Sequence, residues 1–143
     1  MLISSEQIKA QPTVDPTLAS PAFDTAIRNP ANANHVMVIK AVPRRIRVYR
    51  NETLLADTTD AKRVFEIGRS VYDPVVYVPE ADLCVAFDPI DRSTHCPVKG
   101  DAGYAGLNGE EIAWTYSVPL EIAKDLHGLY AFWPDKVRIV EGE

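Results

Sequence analysis

Short stretches of alternating hydrophobic and polar residues dominate this chain, and turn residues separate them. His35–Lys40 and Arg45–Tyr49 carry β-branched side chains with a period of two, the pattern of strands. Asn51-Glu52 makes a turn into Thr53–Asp57, which predicts a hairpin. Val75–Pro79 and Asp82–Phe87 read as further strands. The second puts Leu83, Val85 and Phe87 on one face and Cys84 and Ala86 on the other. Ala113–Tyr116 follows an Asn108-Gly109 turn, and Tyr130–Trp133 leads through Pro134-Asp135 to Val137–Val140. Ala61–Gly68 fits either a short helix capped by Asp60 or a strand, because its alternation is unclean. Pro119–Leu126 reads as a helix, with proline at its start and Gly128 past its end. The sum is a mainly β, single compact antiparallel domain with one or two short helices, spanning 34–143.

Residues 1–33 differ. They hold four of the eleven prolines, at 12, 16, 21 and 30, no glycine, and no sustained period. This reads as a loosely ordered extension, anchored by Leu18, Phe23 and Ile27, with a helical turn over Ala22–Arg28. Such an extension suits docking on a partner or exchange between subunits of a homo-oligomer.

The length suits one core that needs no disulfide or metal staple. A net charge of −5 argues against general nucleic-acid binding, which requires a basic stripe. Lys40, Arg44, Arg45, Arg47 and Arg50 form the one basic cluster, and their alternation is that of a solvated sheet face. No stretch approaches a membrane span, and the start lacks the basic-then-apolar order of a signal peptide, so a cytoplasmic protein is expected. Cys84 and Cys96 form no Cys-x-x-Cys pair, and His35, His95 and His127 are scattered. Neither a metal nor another cofactor is indicated.

Candidate chemistry gathers between Asp91 and Tyr104, where a thiol, an imidazole, an ammonium and hydroxyls surround Pro97, Gly100 and Gly103, as on a functional loop. Cys96, near His95 and Lys99, is the candidate nucleophile, and Lys99 is the other candidate catalytic group. In extended backbone, however, His95 and Cys96 point to opposite sides, and a free cysteine before proline also serves simply to fix a turn. Lys99 with the Gly100 backbone suits a carboxylate or phosphate, although the glycine spacing is not that of a P-loop. Its plain structural alternative is a salt bridge, with Glu66 the first choice of partner. Glu66 lies between Phe65 and Ile67, and a carboxylate in apolar company needs a partner or a raised pKa. Tyr77, Tyr104, Trp114 and Tyr116 are candidate walls of a ligand pocket, with Thr94 beside them. No Gly-x-Ser-x-Gly elbow is present.

The spacing Glu66-x-Gly68, Tyr77-x-Pro79-x-x-Asp82, Thr94-x-Cys96-Pro97-x-Lys99-Gly100-x-x-x-Tyr104, Ala113-Trp114-x-Tyr116 and Ala131-Phe132 resembles the DUF427 family, over roughly residues 35 to 140. Arg45–Tyr49 with Ala56-Asp57 resembles that family's first hairpin. The resemblance implies a mainly antiparallel domain of the Mss4-like, or β-tent, type. The family also carries a nucleotidyltransferase-like label. The Gly-Ser motif and paired metal-binding carboxylates of that chemistry are missing here, Asp88 and Asp91 being the only approximation. Family members commonly carry an aromatic residue where Val98 stands and a short aliphatic residue or threonine where His95 stands. Two functions follow as expectations. One is a pocket beside the Thr-x-Cys-Pro-x-Lys-Gly segment, binding a small polar or anionic metabolite with catalysis by Cys96 or Lys99. The other is a non-catalytic interaction domain.

Overall fold

The structure is a computed structural model and describes residues 25–142. The anchors Leu18 and Phe23 lie outside them. Eleven strands make two sheets: β1 (Ile27–Asn29), β2 (Asn32–Ala41), β3 (Ile46–Arg50), β4 (Thr53–Thr58), β5 (Lys62–Ile67), β6 (Val75–Pro79), β7 (Asp88–Cys96), β8 (Gly100–Leu107), β9 (Glu110–Pro119), β10 (Leu129–Phe132) and β11 (Arg138–Glu141). The large sheet runs β1-β2-β5-β6-β10-β9-β8-β7, the small one β11-β3-β4, and the strand pairings are antiparallel. The fold is thus mainly β, as the alternation predicts.

The period of two sorts side chains into two cores. Ile46, Val48 and Leu55 of the small sheet meet Val78, Ile112 and Phe132 of the large one, filling the space between the sheets. On the other face of the large sheet, Met37, Val64, Tyr77, Tyr116, Leu129 and Ala131 form a second cluster. Strand parity puts them together: Met37 lies opposite Glu66, Val64 opposite Val75, Tyr77 opposite Ala131, and Ala131 opposite Trp114. Register shifts between Ile90 and Ser93, Asp101 and Gly103, and Ala105 and Gly106 bend the β7–β8–β9 end of the sheet.

Ala61–Gly68, for which the sequence leaves helix and strand both open, is largely strand β5, because β2 and β6 both pair with it. Several expectations give way. Asp82–Phe87 is not a strand. A 3-10 turn covers Glu80–Asp82, Leu83 makes an isolated bridge to Ala56, and the chain bends at Cys84 and Val85 before β7. Its alternation still has a cause, since Leu83, Val85 and Phe87 pack on the first core while the backbone lacks a ladder partner. Glu121–Leu126 forms 3-10 turns, interrupted at Ala123, where an α-helix is expected. Ala123 and Leu126 are pressed into the second core, and packing overrides the helical start signal. The C-terminal part of the expected turn over Ala22–Arg28 is strand, with Ile27 opposite Met37. The segment Asp91–Tyr104 is no free loop but the body of the β7–β8 hairpin, with a turn only at residues 97–99.

Two members of the basic cluster are met by acids, Arg45 making two bonds to Asp57 and Arg50 pairing with Glu110; outside the cluster, Arg63 pairs with Glu141. Among the described residues no helix is long and apolar enough to cross a membrane.

Candidate functional site

The hairpin tip organises the site. Val98 is fully buried in the second core although it sits in a turn, and it draws the tip inward. Gly100 follows with φ +112°, and a Cβ there would lie 2.9 Å from the Leu120 backbone nitrogen. Only glycine suits both demands. Leu120 N–H donates to the Lys99 carbonyl, which fixes the tip against the chain after β9. Lys99 is thereby aimed across the concave face of the sheet at Glu66 on β5, with Nζ 2.5 Å from Oε1.

Both groups are largely shielded, with side chains 12% and 16% exposed, and a third joins them. His35 Nε2 lies 2.6 Å from the second carboxylate oxygen of Glu66. Its other nitrogen faces the Asn29 side-chain amide at 3.2 Å, and the Asn29 carbonyl oxygen accepts the Ala31 backbone N–H at 2.8 Å. That last bond orients the amide, so its NH2 donates to Nδ1. His35 is then a neutral imidazole donating Nε2–H to Glu66. Burial pushes the Glu66 carboxyl upward, but the Lys99 ammonium and the His35 bond outweigh it and hold the group below its ordinary range.

The motif Glu66-x-Gly68 now has a physical reason. Val36 lies opposite Ile67, so the next pair in register is His35 with Gly68. A Cβ on Gly68 would stand 3.2 Å from Tyr72 Cε2 and 3.4 Å from His35 Cδ2. The glycine leaves His35 room to lean toward Glu66. Past β5 the chain turns back, Tyr72 N–H donating to the Glu66 carbonyl at 3.1 Å, which sets Tyr72 and Asp73 beside the ion cluster.

Glu66 and Lys99 form part of the lining of a cavity of about 230 Å³. Tyr77, Tyr104, Trp114, Tyr116 and Trp133 wall it, and Tyr72 and Asp73 also line it. The rings support one another. Trp114 Nε1–H donates to the Tyr77 hydroxyl at 3.2 Å, and their planes are perpendicular. Trp114 and Trp133 have centroids 4.5 Å apart, while Tyr104 and Trp133 are parallel to within 4° at 6.5 Å. The Arg92 guanidinium rests 4.0 Å from the Tyr104 ring centre. Glu111 accepts from Arg92 at 2.7 Å and from Trp133 Nε1 at 2.9 Å, locking both. Burial drives the Tyr77 and Tyr116 phenols well above their usual range, so both remain neutral hydroxyls at physiological pH.

Six residues proposed from the sequence therefore meet at this cavity: Glu66, Tyr77, Lys99, Tyr104, Trp114 and Tyr116. Three lie elsewhere. Thr94 is exposed and bonds the Tyr104 hydroxyl at 2.6 Å from behind. Gly100 is buried beside Leu120. Cys96 is half-buried against the second core and does not line the cavity. His95 points away from Cys96, toward Asp101 at 2.8 Å. Phe65 and Ile67 turn outward and are 40% and 52% exposed, so the apolar company of Glu66 in sequence is not its company in space. His35, Trp133, Tyr72 and Asp73 escaped the sequence reading. Trp133 was accessible to it, because it continues the parity of Leu129 and Ala131. Among the described residues no group of three or more His, Cys, Asp or Glu side chains could hold a metal ion.

No curated protein matches the chain. The family described as "Domain of unknown function (DUF427)" matches residues 38–143, which include Glu66, Lys99 and every aromatic wall of the cavity, while Asn29 and His35 precede the matched span. The chain belongs to the DUF427 family.

Proposed function

We propose that this domain binds a small polar molecule carrying a flat apolar part in the cavity between β5 and the β7–β8 hairpin. One observation carries the reading: the Lys99–Glu66–His35 cluster lies against an open cavity with aromatic walls rather than in closed core. Pockets of this kind combine apolar area with a few oriented polar groups, the former supplying affinity and the latter selectivity. An ion pair kept only for stability is seldom better than well-packed apolar residues, so its placement on a cavity wall favours a role in recognition.

Lys99 and the Glu66 carboxylate would orient the polar end of the ligand, and the parallel Tyr104 and Trp133 rings would hold its flat part. The reading assigns no reaction. Cys96 and Cys84 are free thiols of a protein taken to be cytoplasmic, and Cys96 lies off the cavity. The test is a metabolite screen by thermal shift on wild type and on Tyr104→Leu, a half-buried wall position. A ligand at 100 times its dissociation constant adds about 2.7 kcal/mol. Compounds that stabilise wild type and lose that effect in the variant support the reading. Absence of any stabiliser, or stabilisation equal in both proteins, refutes it.

A further inference from the structure

Three formal charges line the cavity: Lys99, Glu66 and Asp73. Lys99 is already matched at 2.5 Å by Glu66, and the geometry around Asn29 keeps His35 neutral. Asp73, by contrast, is exposed and has no hydrogen-bond or ion-pair partner among the described residues. The cavity thus has one carboxylate in excess and no cation to spare for an anionic ligand. Its remaining surface is mostly aromatic. Ring faces carry negative quadrupole charge and attract ammonium, amidinium or guanidinium groups placed over them. The protein already has such contacts: the Arg92 guanidinium on Tyr104, whose charge is met by Glu111, the Arg138 guanidinium on Tyr49, and, at this cavity, the Lys99 ammonium 5.9 Å from the Tyr116 ring centre.

We infer that the ligand of this cavity is an organic cation, a small flat molecule bearing an amine, amidine or guanidine group, with its charge set against the aromatic walls and Asp73 as its counter-ion. This rests on the pocket proposed above and names the charge class of what fills it. Anionic metabolites, the other expectation from the Lys99-Gly100 sequence, are disfavoured because the one lysine is occupied.

Benzamidine, benzamide and benzoate are nearly isosteric flat probes with charges of about +1, 0 and −1 at neutral pH. The protein has two tryptophans, Trp114 and Trp133, and both line the cavity, so the two indole N–H resonances report directly on occupancy. Titration of the full chain followed by these signals is expected to show benzamidine binding at least fivefold more tightly than benzamide, with benzoate weakest. Asp73→Asn, at an exposed and unpartnered position, should reduce the preference for benzamidine over benzamide to less than twofold. Binding of benzoate as tightly as benzamidine, or of benzamide equally, overturns the cation assignment while leaving a functioning pocket. The same holds if Asp73→Asn leaves the preference intact. If none of the three probes moves either indole signal, the pocket itself is refuted along with its charge class.

Discussion

Lys99 and Glu66 touch, although the strands nearest them, β8 and β5, are separated by four strand spacings in the large sheet. In a flat sheet that separation is about 19 Å. The sheet must therefore roll up, and the ion pair closes its concave face. The contact is at once a clasp of the fold and a wall of the candidate site, which makes its removal informative.

Replacing Lys99 with Met leaves the Glu66 carboxylate half-buried with only His35 beside it. Removing one partner of a shielded pair is costly, and here solvent access moderates the loss to roughly 2 kcal/mol. Urea unfolding measures this. The double variant Lys99→Met with Glu66→Gln should recover most of the loss, because the orphaned charge goes too.

Glu66 also predicts a pH dependence. Its carboxyl is held below the ordinary value of 4.5 in the folded state. A depressed carboxyl contributes stability that is complete above the unfolded value and is lost as pH falls through the folded one. Wild type should therefore lose stability below about pH 4.5 more steeply than Glu66→Gln. Parallel acid titrations of the two unfolding free energies check it, and equal slopes would contradict the assignment.

The hydrogen-bond chain Asn29–His35–Glu66 fixes a tautomer. Nitrogen-detected NMR of His35 at neutral pH should find Nε2 protonated and Nδ1 bare. A ring protonated on both nitrogens would mean that the Asn29 amide is turned over, against its bond from Ala31.

Gly100→Ala meets both a positive φ and a 2.9 Å approach to backbone, which cannot swing aside as a side chain would. It should cost about 2 kcal/mol or more, and it should loosen the hairpin tip, read as faster amide exchange at Val98 and Lys99. Gly103→Ala serves as the control, since no atom lies within 4 Å of a Cβ there.

Cys84 is exposed and Cys96 half-buried. A thiol reagent applied to the native protein should modify Cys84 first. In Cys84→Ser the remaining thiol should react several-fold more slowly than Cys84 does in wild type. Faster labelling of Cys96 would revive it as an activated nucleophile.

Alternation by itself determined a mainly β fold, because side chains on neighbouring residues of a strand must face opposite ways whatever the sheet does globally. Residue chemistry, not alternation, nominated Tyr77, Tyr104, Trp114 and Tyr116 as walls of a pocket and Glu66 as the partner of Lys99. What alternation cannot encode is curvature. The bulges in β7, β8 and β9 and the buried Val98 decide how far the sheet rolls, and only that rolling brings the two ends of the concave face to hydrogen-bonding distance. The same applies to Asp82–Phe87, whose periodicity reports burial of Leu83, Val85 and Phe87 but not the missing ladder partner. The neutral form of His35 and the unmatched Asp73 are likewise properties of the folded chain. Each depends on which groups stand opposite in space, and those groups come from segments that local sequence does not connect.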